Sequence, residues 1–157
     1  MSSDFLDFIN ASLTPYHAVG YLAAQLQKAG FRHLEEAEHW ELNGGDCAFV
    51  VRGGAMVAFR VAKAQKPIES GFRIALAHTD SPSLKLKLAD AKGGKDGNPL
   101  RIPIEVYGGP TFSTWLDRPL GVAGRIAAMT ENGPAAQLVD SEGAVALIPN
   151  PPPHFVN

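Results

Sequence analysis

His78 and Asp80 are the residues of this sequence whose types and spacing best suit chemistry. The apolar run 72–77 that precedes them predicts a short buried strand, because it is bounded by polar turn formers and Pro82. Binding groups collect where such strands end in α/β proteins, and side chains two apart in an extended chain point to one side. His78 and Asp80 are therefore expected to face one cavity. An imidazole beside a carboxylate is the arrangement typical of a zinc-binding histidine and the residue that orients it.

Other interpretations of the polar residues are structural. His-x-Asp can simply be a strand-end histidine held by a turn, and His17 falls in the first turn of a predicted helix as a surface or half-buried residue. The acidic run 35–38 lies between His33 and His39, which are too badly spaced to share a face of a helix or strand. We predict a solvated acidic surface there. No Gly-x-Ser-x-Gly elbow, Walker loop or Cys/His zinc ribbon supports a nucleophilic hydrolase, a nucleotide-binding protein or a zinc finger.

The composition is that of an ordinary globular protein, with 157 residues, 45% hydrophobic and 19% charged. This length fits one domain with a substantial core, or parts of two. The net charge of −2 gives no electrostatic case for nucleic acid or an anionic membrane as partner. No apolar run is long enough to span a bilayer, and no secretory signal is visible. The single cysteine, Cys47, excludes an internal disulfide and favours a reducing cytosol, so we predict a cytoplasmic protein.

The elements that must position these residues begin with two helices. Apolar spacing predicts a helix over 3–13 and a second one that starts with Thr14 as N-cap and ends at Gly30. Residues 47–62 predict a hairpin that turns at two glycines. Alternating leucines and lysines over 84–88 predict a half-buried strand. The polar stretch 90–99 predicts a connector and a boundary, followed by a small β module with strands near 101–107, 122–129, 136–140 and 144–149.

Several stretches, taken in order, resemble the aspartyl aminopeptidase family of zinc metallopeptidases. The matching stretches are Thr14-Pro15-Tyr16-His17-Ala18-Val19, Ala29-Gly30-Phe31, Ala77-His78-Thr79-Asp80-Ser81-Pro82 with Leu84-Lys85-Leu86-Lys87, Glu105-Val106-Tyr107-Gly108-Gly109, Thr114-Trp115-Leu116-Asp117-Arg118, Ala123-Gly124-Arg125 and Ile148-Pro149-Asn150. The resemblance covers nearly the whole chain and corresponds to the N-terminal third of the family's proteins.

The resemblance implies an α/β fold. Residues 1–90 would be the first segment of a three-layer αβα zinc-peptidase domain, and residues 91–157 the start of an inserted β-rich dimerisation module. It also implies removal of N-terminal Asp or Glu from a peptide substrate, with two zinc ions sharing a bridging water and a glutamate as general base. Such enzymes are homo-oligomers, from dimers to dodecamers, and neither nucleic acid nor membrane is implied as a partner.

The resemblance assigns roles to three residues. His78 is implied to be a ligand of one zinc ion, and Asp80 to be the active-site carboxylate that orients it. His154 stands near the position of a histidine thought to reach a neighbouring subunit's active site, which implies substrate binding, although its flanks differ from the family's. A second departure is Pro119, which replaces an aspartate that usually follows Asp117-Arg118.

The same comparison predicts an incomplete active site. Family members are over twice as long, and their other metal ligands and their glutamate pair lie further along the chain. A catalytic zinc needs about three protein ligands, and this chain supplies one. We therefore expect a truncated or frame-disrupted, inactive piece of a zinc aminopeptidase. Two alternatives stay open: a non-catalytic module that binds a full-length relative through its β insert, and a degenerate remnant of low stability.

Overall fold

The computed structural model describes residues 3–63, 71–152 and 154, and the chain divides into two compact units. Unit 1 comprises Met1–Asp80 and Ala123–Asp140, and unit 2 comprises Ser81–Val122 and Ser141–Asn157. These units are compact parts of this chain and do not test the peptidase and dimerisation domains expected over 1–90 and 91–157, which stay a prediction. The elements are α1 (Ser3–Ala11), α2 (Pro15–Lys28), β1 (Arg32–His33), β2 (Cys47–Arg52), β3 (Ala55–Arg60), β4 (Ser83–Leu86), β5 (Ile104–Tyr107), β6 (Ala123–Thr130) and β7 (Gly133–Asp140), with 3₁₀ turns at Leu88–Asp90 and Phe112–Thr114.

Helix α2 begins and ends where its capping residues predict. Thr14 is the N-cap, and its Oγ1 accepts a hydrogen bond from the backbone N–H of His17 at 3.4 Å. Pro15 occupies the first turn, where its missing N–H would have no helical partner. Gly30 follows the helix with φ +82°, a conformation that glycine adopts without the steric cost of a Cβ. None of the described helices is both long and apolar enough to cross a membrane.

A three-stranded sheet and α2 enclose the core of unit 1. Strand β2 is central, with β1 parallel on one side and β3 antiparallel on the other. The predicted hairpin is confirmed, and it turns at Gly53-Gly54, where Gly53 has φ +61°. The buried apolar residues of the described chain all lie in this unit, on α2, on β2 and beside β1: Ala18, Val19, Leu34, Ala48 and Phe49.

Strands β6 and β7 form a hairpin that also belongs to unit 1. Their pairing runs from Ala123 opposite Asp140 to Thr130 opposite Gly133. The Arg125 guanidinium carbon lies 4.3 Å from the centroid of the Tyr16 ring, a cation–π contact with the first turn of α2. The strands predicted near 122–129 and 136–140 are therefore confirmed.

Unit 2 contains an antiparallel pair and an ordered reversal. Strand β4 pairs with β5, and the Nζ atom of Lys85 lies 4.0 Å from the centroid of the Tyr107 ring. Asp117 has φ +52°, its N–H donates to the carbonyl of Ile148 at 2.9 Å, and its Oδ1 accepts from the N–H of Asn150 at 2.9 Å. No described residue of unit 2 is fully buried.

One strand prediction is wrong at its end, and another is wrong over its whole length. The strand predicted over 84–88 stops at Leu86, and Leu88 begins a 3₁₀ turn with 67% of its surface exposed. Residues 144–149 form only a single bridge, between Ala146 and Leu120. At the first place Lys87 still donates its N–H to the carbonyl of Pro103 at 2.8 Å, but proline has no N–H to donate in return, so the pairing ends there. At the second place the described partners of residues 144–149 are isolated residues such as Leu120, and no named strand pairs with the segment.

The buried strand predicted over 72–77 is absent, so that prediction is wrong for this structure. The segment is neither helical nor part of a sheet, and it makes no backbone hydrogen bond to another described residue. Phe72, Ile74 and Leu76 are 80%, 79% and 92% exposed. The apolar pattern predicts that the segment should be covered, but burial requires a neighbouring element, and the described part of this chain provides none.

Candidate metal-binding site

His78 and Asp80 meet side chain to side chain, as their spacing predicts. The Nδ1 atom of His78 lies 2.9 Å from Oδ1 of Asp80. An ionised carboxylate can only accept hydrogen bonds, so this contact requires the imidazole proton on Nδ1. In the neutral ring the lone pair of Nε2 is then available, which is the tautomer that a metal-binding histidine needs.

The two side chains differ in exposure. The His78 side chain is 90% exposed, whereas that of Asp80 is 26% exposed. The carboxylate is therefore the more covered member of the pair, and the ring remains accessible from solvent. Because water screens exposed charges, we attribute to the pair an orienting effect on the ring and little contribution to stability.

Thr79 anchors this pair to the sheet of unit 1. Its Oγ1 donates a hydrogen bond to the carbonyl of Gly54 at 2.7 Å, in the turn between β2 and β3. Gly54 itself packs closely, since a Cβ at this position would lie 2.9 Å from the Cβ of Pro15. The β2–β3 turn is thus held against the start of α2 and in turn holds Thr79. The sequence does not predict this contact, and its only signal there is the pair of glycines that marks the turn.

The described residues do not by themselves complete a zinc site. No group of three or more His, Cys, Asp and Glu side chains comes close enough to hold a metal ion within residues 3–63, 71–152 and 154. A zinc enzyme uses about three protein ligands. In this part of the chain, His78 offers one imidazole ligand, and Asp80 offers a carboxylate that orients it. These two residues fit one ligand of a zinc site with its orienting partner, and the described residues do not supply the other ligands.

The acidic cluster near β1 is a solvated surface, which confirms the prediction for it. Glu35, Glu36 and the neighbouring histidines are exposed. The Oε2 atom of Glu36 accepts a hydrogen bond from Nε of Arg52 at 2.8 Å, and this hydrogen bond together with the carboxylate charge raises the pKa of Arg52 above its ordinary value. His33 instead stacks on the buried Phe49 ring, with centroids 4.9 Å apart.

His154 lies in unit 2 and is exposed, whereas His78 and Asp80 lie in unit 1. Its substrate-binding role stays a prediction. The structure also places the half-buried His17 beside the N-cap of α2, where its Nδ1 lies 2.8 Å from Oγ1 of Thr14, so the structural interpretation of that histidine is confirmed.

Comparison with known proteins identifies the class of protein. Residues 8–157 match the aminopeptidase I zinc metalloprotease family, M18. The chain belongs to this family of metallo-aminopeptidases, which are hydrolases. The match confirms the family that the sequence motifs predicted.

The curated relatives are considerably longer than this chain. A probable M18 family aminopeptidase 2 of Pseudomonas paraeruginosa is 39% identical over 151 residues, which cover 96% of this chain and 34% of the relative. Aspartyl aminopeptidase 1 of Schizosaccharomyces pombe is 42% identical over 137 residues, which cover 85% of this chain and 28% of the relative. The chain spans about a third of the length of these relatives and corresponds to their N-terminal part.

Solved structures confirm the α/β fold. A chain in the cryo-EM structure of the Ape4 and Nbr1 complex superposes with a TM-score of 0.87 at 39% identity, covering 98% of this chain and 29% of that chain. The S. cerevisiae mApe1 dodecamer superposes with a TM-score of 0.76 at 33% identity, covering 88% of this chain and 32% of that one. Oligomeric assembly is therefore found among the structural relatives.

Proposed function

We propose that this chain contributes one zinc ligand, His78, and its orienting carboxylate, Asp80, to the active site of a zinc-dependent aminopeptidase. The observation that carries this proposal is the 2.9 Å contact between Nδ1 of His78 and Oδ1 of Asp80. The His78 side chain is 90% exposed, so its ring is accessible to a metal ion. Asp80 holds the ring in the tautomer with Nε2 unprotonated. The family description, which names zinc, supports the choice of metal, and the resemblance supports two zinc ions in the complete site.

The proposed substrates are peptides with an N-terminal aspartate or glutamate. The name of the Schizosaccharomyces pombe relative, aspartyl aminopeptidase 1, supports this choice. We also propose that the isolated chain has little or no peptidase activity, because its described residues offer a single imidazole ligand beside one carboxylate.

A chimera tests the role of His78. In the chimera, this chain replaces the matching N-terminal part of the Schizosaccharomyces pombe enzyme, and the readouts are bound zinc and hydrolysis of peptides that begin with Asp or Glu. We expect His78→Ala to abolish activity and Asp80→Asn to lower zinc affinity by about 10–100-fold, the usual effect of losing a partner that orients a ligand. His39→Ala is the matched control, since His39 is an exposed histidine on a surface without a proposed role.

Two outcomes would contradict the proposal. A chimera that keeps its zinc and its turnover after His78→Ala would exclude His78 as a ligand. Zinc-dependent turnover by the isolated chain, abolished by His78→Ala, would refute its inactivity while supporting the ligand.

The remaining roles follow from the same family resemblance. We propose that residues 1–90 belong to a peptidase domain and residues 91–157 to a dimerisation module within a cytoplasmic homo-oligomer, and that His154 contacts substrate there. The mApe1 dodecamer supports the oligomer, and the single cysteine, Cys47, supports the location. His154→Ala in the chimera should raise KM for acidic peptides more than it lowers kcat, whereas unchanged kinetics would exclude the contact.

A second candidate function is that of a non-catalytic module which binds a full-length relative through residues 91–157. Exposed apolar side chains in unit 2 favour it, with Leu100 57%, Val145 67% and Leu147 59% exposed. A pull-down with the intact Schizosaccharomyces pombe enzyme tests this function. Co-assembly that a Val145→Asp/Leu147→Asp variant disrupts would support it, and a chain that remains monomeric and soluble beside the intact enzyme would exclude it.

A further inference from the structure

The sequence contains two Asn-Gly pairs, Asn43-Gly44 and Asn132-Gly133, and both asparagines are exposed. In such a pair the backbone nitrogen of the glycine can attack the side-chain amide of the asparagine, because glycine has no Cβ to hinder the approach. A nitrogen that donates a hydrogen bond is less available for this reaction than one that donates none. Whether each pair reacts therefore depends on what its glycine nitrogen contacts in the folded chain.

The nitrogen of Gly133 is engaged in the β6–β7 hairpin. Thr130 and Gly133 are the last pair of this hairpin, and the pair before them joins Met129 to Pro134. Opposed residues of an antiparallel pair alternate between those that exchange hydrogen bonds and those that do not, and Pro134 has no N–H to exchange. This alternation makes Thr130 and Gly133 the hydrogen-bonded pair. The Thr130 hydroxyl closes the turn further, since it donates to the Gly133 carbonyl at 2.7 Å and accepts from the Asn132 N–H at 3.2 Å.

The nitrogen of Gly44 donates no hydrogen bond to any residue that the structure describes. Its turn is closed by other groups: the Asp46 N–H donates to the Asn43 carbonyl at 3.0 Å, and the Asn43 N–H donates to Oδ2 of Asp46 at 2.9 Å. The following nitrogen, that of Gly45, donates to the carbonyl of Val61 at 2.9 Å. The turn is thus held on both sides of Gly44, while the Gly44 nitrogen remains available.

We propose that Asn43 is a site of spontaneous deamidation in the folded chain. The nitrogen of Gly44 attacks Cγ of Asn43, the C–N bond of the side-chain amide breaks, and the proton lost by Gly44 leaves with the amide nitrogen as ammonia. Water then opens the resulting cyclic imide at either carbonyl, with its hydroxyl on the carbonyl carbon and its proton on the nitrogen, which yields aspartate or isoaspartate. No hydrogen bond from the Gly44 nitrogen or the Asn43 carboxamide to a described residue has to break first.

Deamidation would change the charge and the backbone beside Asp46. The new carboxylate would lie in the turn of Asp46, whose Oδ2 is 3.7 Å from Nη2 of Arg32. In the isoaspartate form the main chain runs through the former side chain, so the Asn43 carbonyl no longer accepts from Asp46 as a peptide oxygen. Gly45 and Asp46 both pair with Val61 at the end of the β2–β3 hairpin. We therefore expect faster amide hydrogen exchange at Val61 in the isoaspartate form.

Peptide mapping of the 157-residue chain tests this proposal. The folded chain is incubated at mildly alkaline pH, and mass spectrometry measures conversion of the amide to the acid at Asn43 and Asn132 in the same sample. Labelling by an isoaspartyl methyltransferase detects isoaspartate. We expect Asn43 to react about fivefold faster than Asn132 or more, because a hydrogen bond worth about 1 kcal/mol protects Gly133 until the hairpin opens. In guanidinium chloride above the unfolding transition, the two rates should become nearly equal.

Two glutamine variants provide the controls. Asn43→Gln keeps the carboxamide but would require a larger and slower-forming ring, and the exposed position accommodates the longer side chain. This variant should lose the reaction at position 43, react at Asn132 as the unmodified chain does, and keep its unfolding midpoint. Asn132→Gln is the matched variant in the other turn, and it should leave the rate at Asn43 unchanged.

Two results would overturn the proposal. The first is a folded chain in which Asn43 reacts no faster than Asn132, since the hydrogen bonding of the two glycine nitrogens would then have no effect. The second is a difference in rate that persists unchanged in guanidinium chloride, which would assign it to the neighbouring residues in the sequence and not to the fold.

Discussion

The Oγ1 atom of Thr79 donates a hydrogen bond to the carbonyl of Gly54 at 2.7 Å, and this contact ties the centre of the His78-Thr79-Asp80 motif to the turn between β2 and β3. The preceding segment 72–77 makes no backbone hydrogen bond to another residue that the structure describes. The position of the candidate ligand therefore depends on a neutral side chain that would bind no metal itself. His78 is the candidate zinc ligand, but the hydrogen bond that holds this motif to the sheet of unit 1 is made by Thr79.

Replacing Thr79 by valine should destabilise the chain by about 1 kcal/mol. Valine has nearly the shape of threonine, so the main loss is the hydrogen bond to a part-buried carbonyl. Urea unfolding measures the difference in the free energy of unfolding. Thr79→Ser keeps the hydroxyl and should retain most of the stability. An equal loss in both variants would mean that the methyl group matters and the hydrogen bond does not.

Replacing Phe49 by alanine should have a much larger effect, about 3–5 kcal/mol. Phe49 is 1% exposed, lies on the central strand β2, and stacks on His33. Its loss would leave a cavity in the core of unit 1, and a fully or partly unfolded circular dichroism spectrum is the expected result. Phe72→Ala is the control, since Phe72 is 80% exposed and should change the free energy of unfolding by less than about 0.5 kcal/mol. Comparable losses in the two variants would contradict the assigned core.

Removal of the N-cap of α2 should lower stability by about 1 kcal/mol. Thr14→Ala deletes the oxygen that accepts from the backbone N–H of His17, and this donor has no partner within the first turn. Thr14→Ser restores the acceptor and should recover most of the loss. Thermal unfolding followed at 222 nm is a suitable measurement, and an unchanged midpoint for Thr14→Ala would show that the cap contributes nothing.

In unit 2, Asp117→Ala should accelerate amide hydrogen exchange at Asn150. The alanine variant removes the carboxylate that accepts from this N–H at 2.9 Å, and it places a less suitable residue at a φ of +52°. Asp117→Asn keeps an acceptor and tolerates the left-handed conformation, so exchange at Asn150 should stay near that of the unmodified chain. Equal exchange at Asn150 in all three proteins would show that the hydrogen bond to Asp117 does not hold Asn150 in place.

Much of the local structure could be predicted from the sequence because short-range interactions create it. Thr14 and Gly30 mark the ends of α2 through backbone groups within a few residues, and Gly53 supplies the positive φ of the β2–β3 turn. The contact between His78 and Asp80 was predictable for the same reason, since two residues of separation suffice to bring the side chains together.

The errors concern interactions between residues that are remote in the chain. The apolar pattern of 72–77 predicted burial, but whether a strand is buried depends on which elements lie beside it, and the described elements leave it exposed. The β6–β7 hairpin was predicted as strands, yet nothing in its pattern indicated that it packs within unit 1, where Arg125 meets Tyr16.

Sequence alone was therefore enough to identify the family, both helices, the first hairpin and the proximity of His78 to Asp80. The anchoring of Thr79 by Gly54, the grouping of β6 and β7 with unit 1, and the exposure of 72–77 became known only from the folded chain. The physical reason is that hydrogen bonds and turns close over a few residues and leave a local signature, whereas burial and docking are properties of surfaces that distant segments build together.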